Sequence, residues 1–119
     1  MVSVAVAGKG VVASTVRPAH GVVSRTRGLM FRGALPEGEG LDIRPCGSIH
    51  MMFMRFPIDA VFYNREQRVT KVARCVRPWI GMAMGGKGAH GVIELPAGSA
   101  GFVAPGDLLE FGESKQGSS

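Results

Sequence analysis

Apolar residues alternate with small or polar ones at the start of this chain and then condense, in its middle, into an almost unbroken apolar run. Residues 2–7 alternate Val with small residues and predict a strand; Gly8-Lys9-Gly10 predicts a turn and residues 11–16 its hairpin partner. Ser24 is placed to cap a short helix over residues 24–32, with Leu29 as its main apolar residue, although Gly28 inside it costs about 1 kcal/mol. Residues 35–40 read as a loop and 41–44 as a short strand. Residues 49–54 and 58–63 are apolar on both faces, the pattern of central strands covered on each side. After a turn at Asn64-Arg65-Glu66-Gln67, residues 68–76 fit two periods at once. Val69, Val72, Ala73 and Val76 make a helical stripe, but their β-branching and the preceding turn favour a strand. Residues 81–91 predict a flexible Gly-rich loop, 92–95 and 108–111 closing strands, and 113–119 a disordered tail.

Composition sharpens the class. A chain of 119 residues with 45% apolar content can bury one core, so one domain over residues 1–112 is expected. Eighteen Gly and seven Pro imply many short elements and tight turns. The fold class expected is therefore α+β, mainly β: a compact antiparallel barrel-like sheet with one short helix near 24–32. The net charge of +5 admits an acidic partner, but a merely soluble basic surface is the plainer reading. Cys46 and Cys75 are too few for a disulfide framework, residues 1–12 make a poor signal peptide, and no run approaches a membrane span. A cytoplasmic monomer with free thiols is the expectation.

The candidate chemistry is concentrated in residues 45–64, where His50, Arg55 and Asp59 interrupt apolar sequence. Ionisable groups so placed are costly to bury unless satisfied. Asp59, between Ile58 and Ala60, needs a cation or several backbone donors; Arg27, Arg32 and Arg55 are the candidate cations. Two readings stand: a structural ion pair with Arg27 or Arg32, or a polar anchor in a groove. Cys46, His50 and Asp59 supply the residue types of a thiol nucleophile, its base and an orienting acid, but no oxyanion-hole motif accompanies them and a bystander thiol is the plainer reading. His20, His50 and His90 are isolated from one another, so no metal site is expected, and no cofactor. Residues 81–88 nearly match a phosphate loop through Lys87, yet Gly88 stands where the Mg²⁺-binding hydroxyl belongs and no helix follows. Arg65, Arg68, Lys71, Arg74 and Arg77 recur every third residue, which on a strand divides them between faces, and aromatics for base stacking are lacking until Trp79.

Four motifs, in order, carry a family resemblance. These are Arg27-Gly28-Leu29-Met30 with Arg32; Phe53-Met54-Arg55 followed by Pro57-Ile58-Asp59; Val92-Ile93-Glu94-Leu95-Pro96-Ala97-Gly98; and Gly106-Asp107. Together they resemble domain-of-unknown-function family 192 over residues from about 25 to 111. The chain departs from the family's pattern at Arg55-Phe56-Pro57, which is shorter than usual and lacks an Asn. The resemblance implies a mainly antiparallel β fold with a little helix, and it implies no established reaction.

The function expected from these features is a small, soluble, non-catalytic binding or accessory module for an unknown small molecule or protein. Its candidate binding residues are His50, Arg55, Asp59, Trp79, Met82 and Met84, where the 55–59 bend is expected to meet the 81–91 loop. An enzyme using His50 and Asp59, with Cys46, is the alternative; a basic protein binding nucleic acid weakly and without sequence preference is a third.

Overall fold

The computed structural model describes residues 2–19, 35–51 and 54–113. Among the described residues nine strands run in chain order: β1 Val2–Val6, β2 Gly10–Ala19, β3 Glu39–Ile43, β4 Ser48–His50, β5 Ile58–Tyr63, β6 Val69–Val76, β7 Met82–Met84, β8 Gly91–Pro96 and β9 Leu109–Glu113. Seven of them form one sheet in the order β6-β5-β8-β3-β2-β1-β9, and β4 and β7 form a separate two-stranded ribbon. The β1–β2 hairpin is the one the alternation predicts. Its turn needs left-handed backbone, which Gly8 (φ 79°) and Gly10 (φ 124°) supply without strain.

The sheet curls into a half-barrel. Its two outer strands approach at one bridge, Arg68 opposite Leu108. There the Val69 N–H donates to Asp107 O, the Gly106 N–H to Val69 O and the Leu109 N–H to Gln67 O, each at 2.8 Å. Asp107, from the closing Gly-Asp motif, fixes this corner: its carboxylate accepts from the Ala104 N–H and pairs with Lys9, both at 2.9 Å. The Ala104 bond and then the Lys9 partner hold its pKa below the usual carboxylate range.

β5 is the axis of the core. All six of its residues are buried. Ile58, Ala60 and Phe62 face one apolar cluster, shared with Ile49 and Ala83 of the ribbon. Val61 and Tyr63 face the other, inside the curl, with Val4, Val6, Val16, Ile93, Leu95 and Leu109. A strand covered on both sides has no polar face to show, which is why its sequence is continuous apolar residues.

Several expectations need correction. The helix over 24–32 lies outside the described residues, and no helix occurs among the described ones. The sheet is not wholly antiparallel, because β2 and β3 run parallel. The strand expected over 49–54 is not central where it is described: residues 49–50 belong to the two-stranded ribbon, and residues 52–53 lie outside the described residues. β4 stops at His50, and the Met54 N–H then turns back onto Met51 O at 2.9 Å. The 68–76 segment is a strand from Val69 to Val76, as the β-branching favoured, and β8 is a central strand rather than a closing one. The predicted 81–91 loop contains β7 at Met82–Met84, and the chain turns only after it, at Lys87-Gly88. β9 extends to Glu113, one residue into the expected tail.

Phe62 is fully buried, and a Cβ placed on Gly85 would collide with its ring. Phe62→Ala is expected to lower stability by about 3–5 kcal/mol through lost burial and a cavity. A urea unfolding curve checks this; a midpoint shift worth under about 1 kcal/mol would mean that β5 is not the core's axis.

Candidate functional site

β4 and β7 pair with Ser48 opposite Met84, Ile49 opposite Ala83 and His50 opposite Met82. Period-two alternation then decides what each face carries. Ile49 and Ala83 point into the core, so Ser48, His50, Met82 and Met84 must point out, and all four are exposed. A tight turn leads into β7. The Ile80 N–H donates to Pro78 O at 2.8 Å, the Gly81 N–H to Arg77 O at 3.0 Å, and the Trp79 N–H reaches across to Met51 O at 2.8 Å. Gly81 is required there, since any Cβ would strike the Arg77 backbone. Trp79 itself takes a left-handed conformation (φ 68°), unusual for a bulky residue. The result is a continuous stretch carrying Trp79 at 53% exposure, Ile80 at 78%, Met82 at 70% and Met84 at 58%.

The ribbon therefore carries His50, Met82 and Met84, with Trp79 in the turn that leads into it. Arg55 is exposed beyond the Met51–Met54 turn. Asp59 is elsewhere. It lies at 1% exposure, and its two oxygens accept three backbone amides: Cys75 N–H at 2.9 Å, Gly98 N–H at 3.0 Å and Ala100 N–H at 2.9 Å. The expected partner Arg55 makes no ion pair with it, and Arg27 and Arg32 lie outside the described residues. Backbone donors do what a cation was expected to do, because a turn following β8 aims its amides at the carboxylate. His50 and Asp59 are thus not brought together. Cys46 and His50 flank opposite ends of β4, and the Cys46 thiol donates to Ser48 O at 3.0 Å. Among the described residues no cluster of His, Cys, Asp and Glu is arranged to hold a metal.

Two buried polar groups escaped the sequence reading. Glu94 sits between Leu41 and Ala60 in one row across the sheet, at 7% exposure. No described residue hydrogen-bonds its carboxyl, and burial raises its pKa from the ordinary 4.5 to about 7. The signal was present: a lone Glu within the apolar run Val92-Ile93-Glu94-Leu95. Inside the curl, Tyr63 Oη donates to Asp42 at 2.5 Å, and Arg44 pairs with the same carboxylate. The Arg44 guanidinium also lies over the Tyr63 ring at 5.6 Å and the Phe111 ring at 5.3 Å. Burial first, and the bond to Asp42 second, raise the Tyr63 phenol above its usual range, so it remains a neutral donor. Gly91 faces this ring, and a Cβ there would collide with it.

Asp59→Asn turns an amide NH₂ toward at least one of three backbone N–H donors. It is expected to cost about 2–3 kcal/mol by chemical denaturation, since a buried donor left unsatisfied carries its full desolvation cost. An unchanged midpoint would contradict this anchor. Glu94 makes a second expectation. Its folded pKa lies above its unfolded one, so the native state holds the extra proton between about pH 4.5 and 7. Its contribution to stability therefore falls as pH rises through that window, by an amount on the order of 3 kcal/mol. Glu94→Gln should flatten the pH dependence of the melting temperature there and stabilise the fold at pH 8. Parallel curves for the two proteins would refute it.

The comparisons with known proteins agree with this fold. No curated protein matches the chain. A protein of unknown function from Novosphingobium aromaticivorans has a similar structure, with a TM-score of 0.79 and 25% identity over 91% of this chain and 83% of its own. A candidate transcription regulator from Sinorhizobium meliloti shares the fold, with a TM-score of 0.76 and 21% identity over 92% of this chain and 91% of its own. The model of domain-of-unknown-function family 192, described as an uncharacterized ACR, matches residues 2–111. With the motif order and the half-barrel both in place, the chain belongs to that family.

Proposed function

We propose that this domain is a non-catalytic binding module whose contact surface is the outer face of the β4–β7 ribbon and the turn before it. One observation carries the reading. Trp79, Ile80, Met82 and Met84 are four large apolar side chains, each more than half exposed, on one short stretch. Isolated exposed apolar residues are ordinary; a contiguous group is not. Met side chains adapt to varied surfaces, and Trp contributes a large anchor. His50, on the same face opposite Met82, adds a polar contact, and Arg55 and Arg77 are exposed on either side in sequence. A small molecule or a protein segment with an apolar portion fits such a surface.

The enzyme alternative draws little support, because the Asp59 oxygens are already occupied by amides and His50 lies on the exposed face of the ribbon. The nucleic-acid alternative draws little more. Arg68 donates to Gly106 O at 3.1 Å, and Arg74 donates to Ala100 O and Val103 O, so two of the five regularly spaced cations serve the domain's own loops. The Sinorhizobium protein's name concerns that protein, and the likeness to it is one of fold.

A thermal-shift screen of metabolites and peptides tests the proposal, followed by chemical-shift mapping of any hit. Perturbations are expected at His50, Trp79, Met82 and Met84. The double variant Ile80→Asp, Met82→Asp should lose the response while keeping its melting temperature, since both side chains are outside the core. Perturbations confined to the β1–β2 hairpin, or a hit that the double variant binds equally well, would overturn it.

A further inference from the structure

Beyond one end of the ribbon lies an open depression of about 460 Å³, lined in part by Cys46, Gly47, Ser48, Arg65 and His90. Its frame is fixed by backbone bonds. The Cys46 N–H donates to His90 O at 2.7 Å, the His90 N–H to Tyr63 O at 2.8 Å, and the Gly85 N–H to Gly47 O at 2.8 Å. Hence the loop before β4, the segment before β8 and the end of β5 hold one another in place.

The polar side chains on this depression are donors without work. Among the described residues, the Arg65 guanidinium, the His90 ring and the Ser48 hydroxyl make no hydrogen bond or ion pair. Four of the other described cations are committed: Lys9 to Asp107, Arg44 to Asp42, and Arg68 and Arg74 to loop carbonyls; of the rest, none lines this depression. No carboxylate lines the depression, and the nearby Asp42 already holds Arg44 and Tyr63. A planar guanidinium, an imidazole that donates in either protonation state and a hydroxyl form a set matched to an anion's oxygens. The chain's net charge of +5 adds a favourable long-range field.

We propose that this depression is a binding site for a compact anionic group, a carboxylate or a phosphate borne by a small-molecule ligand. Arg65 pairs with its charge, and His90 and Ser48 orient its oxygens. The site is independent of the ribbon's apolar face, which it adjoins through Ser48.

The test is a titration of the full ¹⁵N-labelled chain with inorganic phosphate and, separately, with succinate, at constant ionic strength maintained with sodium chloride. The expected result is saturable shifts at Gly47, Ser48, Ala89 and His90. A stronger response to phosphate assigns a phosphoryl ligand, and a stronger response to succinate a carboxylate. Arg65→Ala should weaken binding by about tenfold or more, as loss of a charge-assisted bond requires. Ser48→Ala should weaken it less, and Lys71→Ala should not change it. Arg65, Ser48 and Lys71 are exposed, so these variants keep the fold, which an unchanged melting temperature verifies. Ile80→Asp with Met82→Asp should leave the titration intact, so this proposal and the ribbon reading fail separately. Shifts that do not saturate for either anion, that survive Arg65→Ala, or that respond equally to Lys71→Ala overturn it.

Discussion

The carboxylate of Asp59 collects three amides from two separate segments, one on β6 and two in the turn that follows β8. The Ala100 amide is buried and would otherwise have nothing to bind. Because both oxygens are engaged, the turn at 97–100 is held against the edge of the sheet, and its carbonyls are positioned to receive the Arg74 guanidinium. Arg74 also reaches Val103, and the chain from there enters the Asp107 corner, where β6 and β9 approach. One carboxylate on the central strand thereby starts a sequence of contacts that bends an open sheet toward closure.

The same central strand explains why the surface looks as it does. Its outer-facing residues, Ile58, Ala60 and Phe62, require a cover, and the ribbon supplies part of one with Ile49 and Ala83. A strand cannot bury both of its faces against a single neighbour. Covering the core with β4 and β7 therefore displays Met82, Met84 and His50 to solvent. The apolar outer face is a geometric consequence of the inner one. Its composition, however, is free to vary, and polar residues would satisfy the geometry equally well. Large apolar side chains at those outward positions are the feature that calls for a partner. The same distinction separates Arg65 from Arg68, three residues apart: Arg68 is tied to a loop carbonyl, whereas Arg65 lines the open depression.

Much of the fold was legible because period-two patterns and turn residues are local. Val2 to Val6, the Gly8-Lys9-Gly10 turn and the apolar run from Ile58 to Tyr63 each carry their own signal. The errors arose where the decisive partner is remote. Nothing in Met82-Ala83-Met84, set among glycines, shows that it pairs with β4. The Gly85 and Gly47 backbones must first be brought together. Burial of Asp59 could be read from Ile58 and Ala60, whereas its satisfaction by Gly98 and Ala100 amides could not, since backbone donors have no letter in a sequence. Of the candidate site, His50, Met82, Met84 and Trp79 were named from residue type and loop context. Their union rests on the β4–β7 register, and Asp59 was wrongly grouped with them because proximity in sequence concealed the opposite faces of β5. The depression was missed for a related reason: Arg65 read as a turn charge and His90 as a lone histidine.

Val2 lies directly opposite Glu113, so the two ends of the described chain share the first rung of the β1–β9 ladder. The strands are antiparallel, and tension drawn through these two ends would act across the ladder rather than along it. The rungs would then part in succession, from Val2–Glu113 to Val6–Leu109, each bearing the whole load alone. A domain entered and left in this way is mechanically soft at its ends however stable its core. It opens like a zipper under a pull that the interior strands, loaded lengthwise, would resist.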